Sequence, residues 1–362
     1  MDLMKMMQEL TEAPGVPGQE GVVRRIMQRY LEPLGEIVTD NLGSIACRKV
    51  GSVSDGPVIM MAGHMDEIGF MVTRITEQGF LKFQTLGGWL EHVMLAQRVQ
   101  VYGRHGPVIG VIGSKPPHVL EPEDRKKLVQ RKEMFIDIGA SSAEEVESWG
   151  IQPSDPIVPV CPFTVMRNEK LLMAKAWDNR FGCALVLAVL ERIKEEDHPN
   201  VVYGVGHVQE EVGLRGATTM SNLIGPDIGF AFDTGIAGDM PGVDPDRARG
   251  VLGKGPDIIL YDASMIPHRG LRNLVIDTAK EHDIPVQIDC ISAGGTDAGR
   301  IHLSGHGVPS LTMGIPVRYI HTHASILNID DFHHAVELVV QVLKRLDAET
   351  VQKLKESLAP EA

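Results

Sequence analysis

The sequence has few cysteines, and none are spaced as a disulfide framework or a CxxC motif requires. The residues that flank them are typical of strands or buried helices, and the four are Cys47, Cys161, Cys183 and Cys290. Single, scattered cysteines of this kind are typical of reduced thiols in a protein core. We therefore expect four free core thiols and a cytoplasmic protein.

Long apolar runs and an excess of positive charge are also absent. Nowhere do about eighteen apolar residues follow one another, so the sequence predicts no transmembrane helix. The first ten residues are amphipathic and lack the apolar region of a secretory signal. The formal net charge is -13, which would repel the phosphates of nucleic acids and of anionic membranes. We expect neither of these as a partner.

The remaining composition is that of a folded enzyme with a large core. The chain has 362 residues, of which 43% are hydrophobic and 23% charged, and its length favours one large α/β domain with a smaller unit. Apolar periodicity predicts helices at 1–12, 19–31, 143–149, 181–193, 215–223, 269–282, 296–303 and 330–346. It predicts strands at 36–40, 44–50, 58–61, 201–208, 228–233, 286–291 and 309–314.

Residues 70–163 differ from the sequence on either side in their pattern of apolar and polar residues and in the spacing of glycine and proline. Short alternating segments are cut there by glycine and proline at close intervals, which is typical of an all-β unit. We expect a small inserted barrel or sandwich, although these strands could instead extend the main sheet. The predicted fold is α/β, with a mixed central sheet flanked by helices and an inserted small β-barrel. The predicted domains are 1–69 with 164–362, and 70–163.

A buried strand at 58–61 ends in a histidine and an aspartate two residues apart. An uninterrupted apolar strand is typical of a sheet covered on both faces, and ligands of such sheets bind at the carboxyl ends of strands. His64 and Asp66 point to the same side of extended backbone. This suits a metal-binding imidazole oriented by a carboxylate, although a pair satisfied by backbone has the same pattern.

More acids and histidines stand at element boundaries, and the adjacent Glu210 and Glu211 are the most informative. On a regular strand one of them would enter a helix-covered layer at a cost of several kcal/mol. Where a strand ends, both reach one cleft and repel each other unless a cation lies between them. The alternatives are an exposed glutamate pair and, for Asp178, a helix N-cap. The other boundary positions are Asp233, His321 and His323.

Five of these donors indicate the kind of metal. Two imidazoles and three carboxylates suit zinc, cobalt or manganese better than calcium or magnesium. They suffice for two ions if one carboxylate bridges, and two ions about 3.5–4 Å apart are suited to hydrolysis. A further acid is then needed to accept a proton from water. The five are His64, Asp178, Glu211, Asp233 and His321.

Six motifs in this order resemble those of the cytosolic dinuclear metallo-aminopeptidases, which include glutamyl, deblocking and tetrahedral aminopeptidases. The motifs are GHMDEIG, AWDNR, QEEVG, FDTGIAGDMPG, GGTDAG and RYIH, and the resemblance spans nearly the whole chain. It implies a catalytic metallopeptidase domain and an inserted domain for oligomerisation or substrate access. It also implies a homo-oligomer, from a dimer to a tetrahedral dodecamer.

The resemblance assigns roles to the boundary residues. One ion is held by His64, Asp178 and Asp233, and the other by Asp178, Glu211 and His321. Glu210 matches the general base, and Asp66 the partner that orients His64. Thr296 and Asp297 lie in a loop that is beside the substrate in the family, although either is also a suitable helix N-cap. The roles of His118 and His323 stay open.

The implied activity is metal-dependent removal of the first residue from short peptides, with two divalent ions per subunit, zinc first and cobalt or manganese next. One alternative is a dinuclear carboxypeptidase or amino-acid deacylase, which shares the metal chemistry. A second is a glycoside hydrolase, which needs two carboxylates and no metal. A third is a scaffold without activity. The preferred first residue of the peptide is not indicated by the sequence.

Overall fold

The computed structural model of the chain describes residues 1–291 and 293–357. Its helices are α1 (Leu3–Glu12), α2 (Gly21–Leu31), α3 (Ala143–Ser148), α4 (Trp177–Arg192), α5 (Arg215–Ile224), α6 (Arg269–Glu281), α7 (Ala298–Ile301), α8 (Ile329–Arg345) and α9 (Ala348–Glu356). Its strands are β1 (Glu36–Thr39), β2 (Ile45–Val50), β3 (Val58–His64), β4 (Gly69–Ile75), β5 (Leu81–Leu86), β6 (Arg98–Gly103), β7 (Gly106–Gly113), β8 (Phe135–Asp137), β9 (Pro156–Pro159), β10 (Thr164–Val165), β11 (Leu171–Ala174), β12 (Val201–His207), β13 (Ile228–Ile236), β14 (Asp257–Ile259), β15 (Gln287–Asp289), β16 (Ser310–Val317) and β17 (Ser325–Asn328).

An eight-stranded mixed sheet forms the centre of the molecule. Its strand order is β1-β2-β12-β3-β13-β16-β14-β15. The four middle strands, β12, β3, β13 and β16, run parallel, whereas β1, β2 and β14 pair antiparallel with their neighbours on the path to the middle. The carboxyl ends of the parallel strands therefore lie together at one edge of the sheet.

Helix α4 covers one face of this sheet because its residues from Phe181 to Leu190 are all apolar. Every residue from Phe181 to Leu187 is buried, and the helix packs on β3 and β13 as well as on α1 and α8. Glycines permit the closest contact: a Cβ at Gly63 in β3 would lie only 2.4 Å from the backbone of Gly182 in α4. A helix that is apolar all round belongs in the core, as the sequence predicts for 181–193.

Strands β4 to β9 form a separate closed barrel in the order β4-β5-β8-β7-β6-β9. Its interior is filled by apolar side chains, including Phe70, Leu81, Val99, Ile136 and Ile157. The predicted fold class is confirmed, and these strands do not extend the main sheet. The barrel strands lie within 69–159. The predicted domain limits at 70 and 163 stay a prediction.

The structure also differs from the sequence predictions. A small sheet of β10, β11 and β17 and the helix α9 had no predicted counterpart, and the strand predicted at 286–291 is confined to β15. Two- to four-residue strands are too short to show a period. The prediction of four core thiols is wrong for Cys290, which is exposed, and Cys161 is only half-buried. Within the described residues, no helix is long and apolar enough to cross a membrane.

Candidate active site

The candidate active site lies at the carboxyl edge of the parallel strands. His64 is the last residue of β3, Asp233 lies in β13, and Glu210 follows the end of β12. His321 follows β16 in a loop. These side chains line a cavity of about 610 Å³ together with Asp178 and Glu211. The structure thus brings together the five predicted ligands and the predicted base.

Asp178 lies between the two imidazoles. Its Oδ1 is 3.2 Å from Nε2 of His64, and its Oδ2 is 3.2 Å from Nε2 of His321. Its backbone is not helical (φ -82°, ψ 104°), although it stands in the first turn of α4, and the N-cap position belongs to Ala176. The alternative role as an N-cap is therefore not adopted. Its two oxygens serve two different partners, as a bridging carboxylate requires.

Asp66 orients both the glutamate pair and His64. Its Oδ1 accepts a hydrogen bond from the backbone amide of Glu210, and its Oδ2 accepts one from that of Glu211, both at 3.0 Å. Nδ1 of His64 donates to the carbonyl oxygen of Asp66 at 3.1 Å and lies 3.5 Å from Oδ1. A carbonyl can only accept, so Nδ1 carries a proton, and the other nitrogen, Nε2, is the one that faces Asp178.

His321 is oriented from the barrel. Its Nδ1 donates to the carbonyl oxygen of Gly88 at 2.7 Å, and Gly88 belongs to the loop that follows β5. For the same reason Nδ1 of His321 carries a proton, and its Nε2 faces Asp178 and lies 3.8 Å from Oε2 of Glu211. The two imidazoles therefore present equivalent nitrogens to one carboxylate.

The cavity concentrates negative charge in a buried place. Burial and the neighbouring carboxylates raise the pKa of Glu210 and of Asp233 well above their usual values, and that of Glu211 to about 8. Burial alone would lower the pKa of His321, but Asp178 and Glu211 raise it to about 10. Such shifts are typical of a functional site. A divalent cation would compensate the same negative charge.

The donor set fits divalent metal ions. Two sets of donor atoms lie within 4.8 Å of one another: His64 with Glu210 and Asp233, and His64 with Asp178 and Glu211. Two ligands of a tetrahedral zinc ion, each about 2.1 Å from it, are about 3.4 Å apart, close to the 3.2 Å that separates Asp178 from each imidazole. Oε1 of Glu211 is buried without a hydrogen-bond partner among the described residues.

Thr296 and Asp297 lie beside the cavity and are held by buried partners. Thr296 lines the cavity, and its hydroxyl donates to Asp262 at 3.0 Å. Asp297 is 2% exposed, and its Oδ2 lies 2.7 Å from Nδ1 of His207. Sequence reasoning missed His207, although it is the last residue of β12 and pairs with His64 in the strand register. Its position at a strand end, three residues before Glu210, was the available signal.

The two histidines with open roles lie in different places. His323 is buried, and its ring lies 5.1 Å from that of Trp89 and 6.5 Å from that of Phe70. Burial lowers its pKa to about 4, so the ring is neutral at pH 7. His118 is exposed in a single turn of the barrel region and is not among the residues that line the cavity.

The fold and the site together define the class of this chain: a peptidase whose α/β sheet carries the site and whose inserted barrel adjoins it. The chain belongs to the M42 glutamyl aminopeptidase family, whose model matches residues 43–338. A second model, AMPT, matches residues 2–27.

Relatives of the chain match it over nearly its whole length. Glutamyl aminopeptidase of Lactococcus lactis subsp. cremoris is 37% identical, over 98% of this chain and 99% of that protein. The TET aminopeptidase of a marine sediment archaeon, Thaumarchaeota archaeon SCGC AB-539-E09, is 47% identical with a TM-score of 0.95 over 97% and 98% of the two chains. Pyrococcus horikoshii TET1 peptidase, which can assemble into a tetrahedron or a large octahedral shell, is 29% identical with a TM-score of 0.86 over 95% and 100%.

Proposed function

We propose that this protein is a metal-dependent aminopeptidase that hydrolyses the first residue from short peptides. The observation that carries the proposal is the position of Asp178, whose two oxygens each lie 3.2 Å from a different imidazole inside an acid-lined cavity. Membership of an aminopeptidase family supports the reaction class.

The proposed metal centre holds two divalent ions, with zinc preferred. His64, Asp178 and Asp233 hold one ion, and Asp178, Glu211 and His321 hold the other. When bound, such ions polarise the scissile carbonyl and lower the pKa of water toward ~7. The chain's own side chains would then orient the peptide and move the proton.

Glu210 is the proposed general base. Its carboxylate is buried, and its Oε2 lies 3.7 Å from Nε2 of His64, which is one of the proposed ligands. Its backbone is fixed by Asp66. Glu210 would accept a proton from the attacking water and deliver it to the departing amine, so the carboxylate is regenerated in each cycle.

The grouping of Glu210 with His64 and Asp233 allows a second role for it, as a ligand, and one variant separates the two roles. Glu210→Gln keeps the size of the side chain and removes the base. We expect unchanged metal content and a fall in kcat of about a hundredfold or more. Metal is counted by elemental analysis after gel filtration, and activity is measured on aminoacyl nitroanilides. Glu77→Gln, in an exposed turn of the barrel, is the matched control.

Loss of metal from Glu210→Gln would make Glu210 a ligand, and full activity would remove it from the mechanism. Wild-type enzyme that keeps its activity after exhaustive chelation would contradict the metal proposal itself. Peptides with a blocked amino terminus, offered beside free ones, test the reaction class. Cleavage of the blocked peptide alone would point to a deacylase or carboxypeptidase.

We further propose a homo-oligomer, in which residues 70–163 take part in assembly or in substrate access. The assembly of Pyrococcus horikoshii TET1 peptidase into closed shells supports this proposal. Light scattering on the purified chain measures the mass, and a monomer at micromolar concentration would contradict it.

A further inference from the structure

Among the predicted ligands, His321 is the least constrained by its own element. It lies in a loop after β16, its side chain is 38% exposed, and its backbone φ is +57°. His64, by contrast, ends a buried strand and is 1% exposed. The ring orientation of His321 therefore depends more on partners from elsewhere in the chain.

The partner of His321 is a barrel loop that approaches the site through two glycines. The carbonyl oxygen of Gly88 accepts the hydrogen bond from Nδ1 of His321. A Cβ at Gly88 would lie 3.0 Å from that nitrogen, and a Cβ at Gly87 would lie 2.8 Å from Oε2 of Glu211. Only backbone without a side chain can come this close.

Trp89, the next residue, fixes this loop on both sides. Its ring stacks on Phe70 with centroids 4.6 Å apart, and its Nε1 donates to the carbonyl oxygen of Gly69 at 3.1 Å. It also makes an edge-to-face contact with His323, with ring centroids 5.1 Å apart. Trp89 thus packs the Gly88 loop against the chain segment that carries His321. Aromatic pairs of this geometry contribute beyond their buried area.

We propose that Trp89 is a positioning residue for the His321 metal site, acting through the carbonyl of Gly88. The inference deepens the proposed function and rests on it, since it assigns a role toward the second ion. Hydrogen-bond partners of ligating histidines set ring orientation and basicity, and their loss typically costs 10–100-fold in metal affinity. The effect should fall on the ion held by His321 and leave the ion held by His64 and Asp233 in place.

The test is Trp89→Leu, compared with Trp149→Leu. Trp149 also packs on the barrel core but is not among the residues that line the cavity, so the control shares the loss of an indole. Zinc binding to the metal-free protein is titrated in competition with a chromophoric chelator. We expect Trp89→Leu to weaken one of two binding steps by about 10–100-fold, and Trp149→Leu to weaken neither. Trp89→Phe, which keeps a ring on Phe70, should restore most of the affinity.

A second variant tests the same contact in case Trp89→Leu disrupts the whole Gly88 loop. Gly88→Ala leaves Trp89 in place but moves the carbonyl or the ring, so it should weaken the same binding step. Equal weakening of both steps, or two unchanged steps in Trp89→Leu, would overturn the proposal. Wild-type protein with fewer than two binding steps would instead contradict the dinuclear centre, and this outcome is visible before any variant is made.

Discussion

The barrel region, at positions 70–163, and the described residues outside it, called the sheet body, differ in the kind of side chain that they bury. Between positions 70 and 163 no polar or charged side chain is buried, whereas the sheet body buries acids, histidines, a lysine and an arginine. Burying apolar side chains carries little desolvation penalty, whereas burying a charged side chain costs several kcal/mol of folding free energy unless the charge is paired. The acids and histidines of the candidate site therefore come from the body, and Gly88 of the barrel contacts His321 through its backbone carbonyl.

In the body, buried charged side chains next to the site form ion pairs with one another. The carboxylate of Glu67 accepts hydrogen bonds from Lys175 at 2.6 Å and from Arg180 at 3.2 Å, and all three side chains are buried. Burial outweighs the attraction of Glu67 and lowers the pKa of Lys175 to about 8. Lys175 and Arg180 flank Asp178 in sequence, so the same ion pairs hold the segment that carries the proposed bridging carboxylate.

The largest expected effect comes from the body residue that both proposed ions share. Asp178→Asn replaces one of two negative oxygens with an amide that cannot bind a cation. We expect loss of both ions and a fall in kcat of at least about a thousandfold. Elemental analysis and a nitroanilide assay measure the two effects. Asp277→Asn, on the exposed side of α6, is the control.

An Asp178→Asn protein that retains two ions would contradict the bridging role. Retention of one ion would show that Asp178 is essential for only one of the two ions. In either outcome the body would be less dependent on this residue than its contacts indicate.

A smaller effect is expected at Asp66, which touches backbone and an imidazole. Asp66→Asn would direct an amide NH₂ group at one of the two glutamate amides, so one hydrogen bond would be replaced by donor-donor repulsion. We expect metal affinity or kcat to fall about 10–100-fold. The matched control is Asp227→Asn. The carboxylate of Asp227 accepts a hydrogen bond from the backbone amide of Val58, at the opposite end of β3 from His64. Equal losses in both variants would indicate damage to the sheet instead of the site.

Much of the fold and of the candidate site could be predicted because periodicity and strand ends are local. The helix over 181–193 and the buried strand before His64 are confirmed, and both are continuous apolar runs. Parallel strands then bring their carboxyl ends together, which is why residues as distant as His64 and Asp233 meet. The metal-binding roles of these residues stay predictions.

The parts that could not be predicted depend on contacts between distant segments. Nothing in the sequence around Gly88 indicates that its carbonyl meets His321, because backbone groups carry no residue-specific signal. His207 was missed for a related reason, since its partner Asp297 lies on another element. The small sheet of β10, β11 and β17 joins segments more than 150 residues apart with strands too short to show alternation.

A selective effect is expected at Arg300, in the body wall of the cavity. It is the one lysine or arginine among the described residues that line the cavity, and it makes no ion pair or side-chain hydrogen bond within that part of the chain. Arg300→Leu should lower kcat/KM about tenfold for substrates with an acidic first residue. Neutral first residues should be nearly unaffected. Aminoacyl nitroanilides of Glu and Leu measure the ratio, and an unchanged ratio would remove Arg300 from substrate selection.

The smallest effect on turnover is expected inside the barrel, and this prediction tests the comparison most directly. Ile136 is fully buried in β8, so Ile136→Val should reduce the free energy of unfolding by about 0.5–1.5 kcal/mol. Ile109→Val, at a position 54% exposed on β7, should change it far less. Urea unfolding and kcat per folded subunit measure both. If Ile136→Val lowered kcat at constant folded fraction, the barrel core would be coupled to the reaction. The barrel would then contribute to turnover as well as to stability.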